Sequence, residues 1–390
     1  MNIYHDDIVQ YVMNNSLKDI MRVFESCDVS LLQSIFSIPF KKSKMFRFSE
    51  EKHPLIIPHD DLTLIHIASF ADSLESYIFL LKYFNHRTQT GSQYYPLHFA
   101  CLNGSIEVMN YILHIDPQQI YECDKFRHRF LELAAFSGVT EAICILFHYN
   151  VRVFDMRPPI SIAVKLHNVA LVKTLLTKFS LIGGHSKDSN LIMLAIQNNY
   201  SDAIPLLIEA NIPINTCNSS FETPLSAACY LSHVESVRVL CNHIDNIDIP
   251  SNIHAKAAVH WLCESKSVEI ARIILDKNID VNRLDQSGNI GPYYLIDMED
   301  TTKHIEILEL LYQKGIDLNK TLPGKNTLLG NHLKFVKKDA VVIKWLIDHG
   351  ADLHAQMEYC GQKEPLTIIQ YVYLLKIESV IPIFATFDIN

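Results

Sequence analysis

Two histidine–cysteine pairs are the residues of this sequence that come closest to an active site. His98 precedes Cys101 by three positions, and His260 stands in the same relation to Cys263. Residues three apart share one face of a helix, so each pair could join a thiol nucleophile to its base or supply half of a metal site. The pairs therefore leave open an enzyme that works through a His-x-x-Cys pair.

A glycine–lysine pair within Leu322–Thr327 resembles part of a phosphate-binding loop. Such a loop needs a glycine five positions before that pair and a serine or threonine directly after the lysine. Asn319 and Asn326 occupy those two positions. The segment is therefore better explained as a turn between structural elements.

The rest of the sequence adds no recognisable catalytic site. Asp297, Glu299 and Asp300 form an acidic group that we interpret as a polar turn between helices rather than as a metal site. No H-E-x-x-H, G-x-S-x-G or G-x-G-x-x-G motif occurs. We accordingly expect no cofactor, no metal and no enzymatic activity.

The composition is that of an ordinary folded protein with an acidic surface. The 390 residues include 34 basic and 43 acidic side chains, a formal net charge of -9, and acidic surfaces repel nucleic acids. One basic run, Lys41–Arg47, has the opposite sign, and we interpret it as a solvated linker. No apolar stretch reaches the roughly 18 residues of a membrane span, and the nine cysteines form no C-x-x-C pair. We expect a cytoplasmic protein that binds no nucleic acid and enters no membrane.

A short pattern returns along the chain and indicates the elements that would position these residues. Its clearest copies are Tyr95–Ala100, Thr223–Ala228 and Thr63–Ala68. They resemble the T-P-L-H-x-A box of ankyrin repeats. Threonine at the start of the box can cap a helix, and proline at the next position needs no N–H donor there.

The copies of this box are spaced at the ankyrin period. Taking the last residue of each copy as a marker gives spacings of 29 to 38 residues that cluster near 33. The markers are Ala68, Ala100, Ala134, Ala163, Ala195, Ala228, Leu262, Ile296, Asn331 and Ile369. The copies after about residue 290 depart furthest from the signature, because they lack the box histidine and the small residue.

The first helix of each repeat must stop four or five residues after its marker. The residues found there are Asp72, Gly104, Gly138, His167, Asn199, Ser232 and Lys266. Glycine, asparagine and aspartate suit the left-handed conformation of a helix end, whereas the other three suit it less well. Several second helices end in loops of the G-A-D-x-N kind, at Asn278–Asn282, Gly315–Asn319 and Gly350–His354.

The resemblance implies an all-α fold, an ankyrin-repeat solenoid of about ten helix-turn-helix units with short hairpin loops. Residues 61–390 would form the array, and residues 1–60 an N-terminal helical cap and loop, since Ser16–Asp19 has the pattern of a capping box. The resemblance also explains the His-x-x-Cys pairs. Their histidines fall on the box position that ties down the turn by hydrogen bonding, and Cys101, Cys229 and Cys263 fall on a slot for small buried residues.

The concave groove of ankyrin arrays, lined by hairpin tips and first helices, supplies the candidate binding residues. Carried over by position, the first-helix candidates are Phe70, Phe136 and Tyr230, and the tip candidates are Tyr94, Phe126, Arg127, His128, Phe221 and Arg283. Exposed aromatic residues are the usual anchors of protein interfaces, although each could instead pack against a neighbouring repeat. Our hypothesis is that Phe136, Tyr230 and Arg127 contribute to partner binding.

These features predict a protein–protein interaction scaffold or adaptor that binds partner proteins through the concave groove. Two alternatives stay open: a substrate-recognition subunit of a ubiquitin ligase, for which we identify no docking motif, and the His-x-x-Cys enzyme. The C-terminal run Val380–Phe387 is apolar, whereas a terminal repeat needs a polar outer face. We therefore hypothesise that a partner or a second copy of the chain covers this end.

Overall fold

The structure, a computed structural model, describes ten stretches of the chain. They are residues 5–26, 62–91, 93–123, 129–151, 157–181, 190–250, 254–321, 326–335, 339–357 and 365–386. Within these stretches the regular structure is almost all helical, as the all-α prediction requires, and no helix is both long and apolar enough to cross a membrane. The chain divides into two units, Met1–His185 and Ser186–Asn390.

The described residues of the first unit form ten short α-helices. They are α1 (His5–Met13), α2 (Leu17–Ser26), α3 (Leu64–Phe70), α4 (Leu74–Leu80), α5 (Pro96–Asn103), α6 (Ile106–Ile115), α7 (Phe130–Ser137), α8 (Thr140–His148), α9 (Arg157–Lys165) and α10 (Val169–Leu181). A 3-10 helix, Pro117–Tyr121, follows α6.

The described residues of the second unit form eleven α-helices and one small hairpin. The helices are α11 (Leu191–Gln197), α12 (Ala203–Glu209), α13 (Pro224–Tyr230), α14 (Val234–His243), α15 (Ala258–Glu264), α16 (Val268–Leu275), α17 (Thr301–Gln313), α18 (Leu328–Lys334), α19 (Ala340–Asp348), α20 (Ile368–Leu374) and α21 (Ile381–Ala385). A 3-10 helix, Gly291–Leu295, lies between α16 and α17. Strands β1 (Gln356–Met357) and β2 (Leu366–Thr367) pair antiparallel before α20.

First helices begin at the repeated box because its first residue is extended and can cap the helix. The hydroxyl of Thr223 accepts a hydrogen bond from the N–H of Ser226 at 3.2 Å, which satisfies one of the free donors of α13. Thr327 and Thr367 cap α18 and α20 in the same way. The capping role predicted for threonine is therefore confirmed at these three repeats.

The box histidine ties the start of its helix to the next hairpin loop. The N–H of Thr63 donates to Nδ1 of His66 at 3.2 Å, so Nε2 carries the ring proton and donates to the Thr88 carbonyl at 3.1 Å. His260 makes the second of these bonds to the carbonyl of Asn289 at 3.2 Å. The role that the resemblance implies for the box histidine is confirmed.

The predicted ends of the first helices are confirmed at all seven positions. The residues Asp72, Gly104, Gly138, His167, Asn199, Ser232 and Lys266 have positive φ angles between 51° and 73°. Asn15, after α1, and Lys376, after α20, adopt the same conformation, with φ of 52° and 49°. The helix pairs at the two ends of the described chain thus turn as the repeats between them do.

Successive repeats stack like helix on like helix within each unit. In the first unit α3 packs on α5 and α5 on α7, while in the second unit α11 packs on α13 and α13 on α15. The marker residues Ala68, Ala100, Ala134, Ala163, Ala195, Ala228 and Leu262 are fully buried. Compact apolar residues suit these seven markers, because the stacked helices pack closely there and burying a polar group without a partner is costly.

The predicted markers of the last three repeats, Ile296, Asn331 and Ile369, are wrong. Counting five residues from the observed helix caps gives Leu295, His332 and Val372 instead, and all three are buried. The error is one residue in the first two repeats and three residues in the last. The β1–β2 hairpin precedes α20, and the cap at Thr367 fixes where that helix begins.

Asparagines of the G-A-D-x-N loops join successive repeats of the second unit. The amide Nδ2 of Asn282 donates to the carbonyl of Gly315 at 2.9 Å, and its Oδ1 accepts from the N–H of Asp317 at 2.6 Å. Asn319 repeats the first of these bonds with Gly350, also at 2.9 Å. These loops are held by side chains that satisfy backbone groups of the next repeat.

The N-terminal helices pack as part of the first unit. α1 packs on α3 and α2 on α4, and Oδ1 of Asn15 accepts from the N–H and the hydroxyl of Ser76 at 3.1 and 2.9 Å. The hydroxyl of Ser16 donates to Asp19 at 2.5 Å, at the predicted capping box. Residues 27–61, including Lys41–Arg47, lie outside the described residues, so the boundary near residue 60 stays a prediction.

Candidate interaction surface

The ends of the first helices present side chains that differ greatly in exposure. Tyr230 is 72% exposed and the adjacent Leu231 is 40% exposed, directly before the left-handed Ser232. Phe70 and Phe136 are half-buried. Of the three aromatic residues predicted here, Tyr230 is therefore the one that the fold leaves open to solvent.

Tyr94, predicted at a hairpin tip as a binding residue, is buried. It is 3% exposed, and its ring lies 5.4 Å from the ring of His98 and 5.8 Å from that of Phe99. Its N–H donates to the hydroxyl of Thr90 at 3.1 Å. Tyr94 packs against its own repeat, the alternative that the sequence left open for each aromatic, and it is not available to a partner.

Three of the predicted tip residues, Phe126, Arg127 and His128, lie outside the described residues. Their assignment to the interaction surface stays a prediction. The remaining tip residues, Phe221 and Arg283, belong to the second unit, and the structure places both of them.

Phe221 is an exposed aromatic residue in a strained backbone position. It is 60% exposed, its φ is 59°, and its N–H donates to the carbonyl of Asn218 at 3.0 Å. Gln93 and Gly288 hold the same place, two residues before the N-cap of the helix that follows, with φ of 63° and 83°. A bulky side chain at positive φ is an outlier, and such outliers concentrate at functional sites.

Arg283 is half-buried and already engaged within the protein. Its Nη1 donates to the carbonyl of Asp248 at 2.7 Å and contacts a carboxylate oxygen of the same residue at 3.3 Å. This guanidinium therefore joins two loops. In its predicted binding role it would have to contact a partner while it stays bonded to Asp248.

An apolar groove of about 360 Å³ lies beside Phe221, and the sequence did not predict it. Its walls come from the loop before α13 and from the next hairpin loop, Ile244–Pro250, and the ring of Trp261 lines it. Ile249 is 55% exposed, whereas Ile247 is buried. The apolar residues of this loop were the only sign of the groove in the sequence. The fold shows that they line it together with residues of the loop before α13.

The His-x-x-Cys pairs do not form nucleophile–base sites. Nδ1 of His98 accepts from the N–H of Tyr95 at 2.9 Å, and Cys101 is fully buried. Burial raises the pKa of the Cys101 thiol, and it raises that of Cys263 well above the usual value. Since the thiolate is the reactive form, this burial favours the structural role that the resemblance implies for these cysteines.

The acidic group interpreted as a turn behaves as one. The carboxylate of Asp300 accepts from the N–H of Lys303 at 3.2 Å and so caps α17, while Lys266 lies 2.9 Å from Asp297. Over the described stretches, no group of three or more His, Cys, Asp or Glu side chains could hold a metal ion.

In the glycine–lysine segment, residues 322–325 lie outside the described residues, and Thr327 serves as a helix cap.

The apolar C-terminal run is partly covered by the chain itself. Val380 and Phe384 are buried, whereas Leu374 in α20 is 51% exposed. Residues 387–390 lie outside the described residues. That a partner or a second copy covers this end stays a prediction.

Models of ankyrin repeats match two parts of the chain. A model of three ankyrin repeat copies matches residues 192–285, and a model of a single ankyrin repeat matches residues 92–122. A curated relative, an ankyrin repeat and KH domain-containing protein of Caenorhabditis briggsae, is 26% identical over 151 residues. That match covers 37% of this chain and 6% of the relative, so the chain spans a small part of that protein's length.

Solved ankyrin repeat domains also resemble the fold. The ankyrin repeat domain of Bcl-3, described as a unique member of the IkappaB protein family, is 18% identical with a TM-score of 0.45. The match covers 56% of this chain and 97% of that domain. An ankyrin repeat domain from Acinetobacter baumannii AYE is 22% identical with a TM-score of 0.44, over 50% of this chain and 98% of that domain.

Proposed function

Because this chain is an ankyrin repeat protein, we propose that it is a scaffold or adaptor that binds partner proteins through its first helices and hairpin tips. Ankyrin repeats are in general protein–protein interaction modules, and repeat arrays offer extended surfaces for such partners. The part of this proposal that is specific to the chain is the choice of surface residues.

The exposure of Tyr230 and Leu231 carries this proposal. A tyrosine that is 72% exposed beside a leucine that is 40% exposed leaves apolar area in water at the end of α13. The equivalent places in α9 and α11 hold the exposed polar residues Lys165 and Gln197. A solvent-facing tyrosine has the amphipathic character of an interface anchor, and covering it with a partner would stabilise the complex.

The alternatives receive less support from the structure. The buried thiols and engaged histidines disfavour the His-x-x-Cys enzyme, and we propose a non-enzymatic role. No feature of the described residues favours a ubiquitin-ligase subunit over any other adaptor.

All seven described cysteines are free, which supports the proposal that the protein works in a reducing compartment such as the cytoplasm.

Affinity capture with a variant of this surface tests the proposal. We expect Tyr230→Ala with Leu231→Ala to lose partner proteins that the wild-type chain recovers from a lysate of its own cells. Tyr312→Ala is the matched control, because Tyr312 lies on a second helix and is 42% exposed. Recovery of the same proteins by the wild-type chain and the double variant would show that this surface is not where the chain binds.

A further inference from the structure

The groove beside Phe221 has the size and lining of a peptide-binding site. Its volume of about 360 Å³ lies within the range of ligand pockets, and its lining includes Leu225, Ile249, Pro250 and Trp261. No charged side chain lines it among the described residues. An occupant must therefore offer an apolar side chain at this point.

A polar recess adjoins the groove and shares three of its residues, Ile244, Asn246 and Ile247. Its lining adds three carboxylates, those of Asp245, Asp248 and Asp280, and two cations, those of Lys277 and Arg283. Arg283 is bound to Asp248, as described above, whereas Asp245 and Asp280 are exposed. The recess thus places three carboxylates against two cations next to the apolar groove, an excess of one negative charge.

The surrounding sequence strengthens this acidic character. Residues 212–300 include 12 acidic and 6 basic side chains. Five of the six basic residues are already in ion pairs: Arg238 with Glu269, Lys256 with Glu264, Lys266 with Asp297, Arg272 with Glu306, and Arg283 with Asp248. The excess of carboxylates favours a cationic occupant.

We propose that this groove binds a segment of a partner protein that carries a large apolar side chain close to a lysine or arginine. The apolar side chain packs between Phe221, Ile249 and Trp261, and the cation lies in the recess beside Asp245 and Asp280. This inference rests on the proposed function, of which it specifies the chemistry of the partner.

The backbone at Phe221 provides the sharpest variant. Glycine adopts a φ of 59° without strain, so Phe221→Gly removes the proposed anchor while relieving the backbone. Gln93→Gly is the matched control, since Gln93 has the equivalent tip position in the first unit with a φ of 63°. We expect both variants to melt at or above the wild-type temperature, so that any loss of binding is not a loss of fold.

A randomised library of 12-residue peptides displayed on phage, selected against the full chain, identifies the class of ligand. We expect the enriched peptides to combine a large apolar residue with a lysine or arginine. Their affinity should fall about tenfold or more in Phe221→Gly, as expected for one lost apolar anchor, and stay unchanged in Gln93→Gly. Asp245→Asn with Asp280→Asn should weaken binding and reduce its dependence on salt.

The emission of Trp261 shows whether these peptides occupy the groove. The chain has two tryptophans, Trp261 and Trp345, so the Trp345→Phe variant leaves the groove residue as the single reporter. Its emission should shift on titration with an enriched peptide. A library that yields no binders, acidic or purely polar binders, or binders that neither need Phe221 nor shift this emission would overturn the inference.

Failure of this inference is distinguishable from failure of the proposed function. A partner protein that is lost with the Tyr230 and Leu231 double variant but retained by Phe221→Gly would leave the adaptor function standing and exclude the groove as its binding site.

Discussion

Gly104 and Gly138 end α5 and α7 with nearly the same left-handed backbone, with φ of 71° and 73°. Their surroundings differ. A Cβ added to Gly104 would lie 2.5 Å from Cγ2 of Val139, whereas one added to Gly138 would have its nearest neighbour, Nδ2 of Asn168, at 3.6 Å. Both positions therefore favour glycine because of their backbone conformation, but only Gly104 also lacks room for a side chain.

We predict that Gly104→Ala destabilises the protein more than Gly138→Ala does. The left-handed conformation costs about 1–2 kcal/mol for alanine at either site. The collision with Val139 adds about 1–3 kcal/mol at Gly104 only. Urea denaturation of both variants measures the difference. Equal losses would show that Val139 moves aside at little cost, and that conformation alone selects these glycines.

Three buried histidines predict a loss of stability in mild acid. Burial lowers the pKa of His66, His304 and His332 from 6.5 to about 4, and the charge of His332 further lowers the pKa of His304. Between pH 6.5 and pH 4 the unfolded chain binds more protons at these histidines than the folded chain does. Their contribution to the free energy of unfolding is therefore fully present above pH 6.5 and is lost as the pH falls toward 4. The full shift corresponds to roughly 3 kcal/mol for each group.

Urea midpoints measured from pH 8 to pH 4 check this dependence. Replacing one buried histidine by His304→Gln should make the decline between pH 6.5 and 4 shallower. A wild-type midpoint that stays constant over this interval would contradict the prediction.

The candidate residues show how far residue type predicts a surface. Phe221 and Tyr230 are candidates because they are aromatic residues at groove positions of the repeat, and both are exposed, at 60% and 72%. Tyr94 was chosen by the same rule and is buried, because its ring packs against the box histidine of its own repeat. The sequence gives the place of a side chain in the repeat, but its rotamer and its neighbours decide whether water reaches it.

At the scale of the helices, side chains at the helix ends connect successive repeats. Asp72, which ends α3, accepts from the N–H of Val108 in α6 at 3.0 Å. Asn15, which ends α1, accepts from Ser76 in α4 in the same way. The N-terminal pair is therefore attached to its neighbour by the bond that also connects two complete repeats.

We predict that Asn15→Gly, which suits the φ of 52° at this position, loosens α1 and α2 from α3 and α4. The change leaves the N–H and hydroxyl of Ser76 without their acceptor, at a cost of about 1–3 kcal/mol. Hydrogen exchange should accelerate in α1 and α2, while Asn14→Ala, at an exposed position next to it, should have little effect. Unchanged protection of α1 and α2 would mean that apolar packing alone holds this pair.

The helices could be predicted from the sequence where the box and the period agree. All seven expected helix ends have the left-handed backbone, including His167, Ser232 and Lys266, which suit it poorly, because the spacing of the repeat fixes where the turn must fall. The period misplaced the last three markers because the box there lacks its histidine and small residue. The caps Thr327 and Thr367 decide the register in two of them, and a residue's ability to cap outweighs an average spacing.

At the scale of the whole chain, the charge separates the kinds of partner it can hold. The formal net charge of -9 repels phosphate backbones at long range, whereas the acidic excess of residues 212–300 attracts basic segments. Salt should therefore weaken binding to the peptides proposed above, since it screens attraction over about 8 Å at physiological ionic strength.

The same charge predicts that the full chain does not bind nucleic acid at physiological salt. Binding would require basic side chains to replace the counterions of the phosphates, and the 43 acidic side chains outnumber the 34 basic ones. Fluorescence polarisation of labelled single-stranded RNA and duplex DNA should stay flat as the protein is added. Binding whose affinity falls with the logarithm of the salt concentration would contradict the prediction. Alanine at Lys41, Lys42, Lys44 and Arg47 would then show whether this basic run is responsible, because its positive charge is opposite to the net negative charge of the chain.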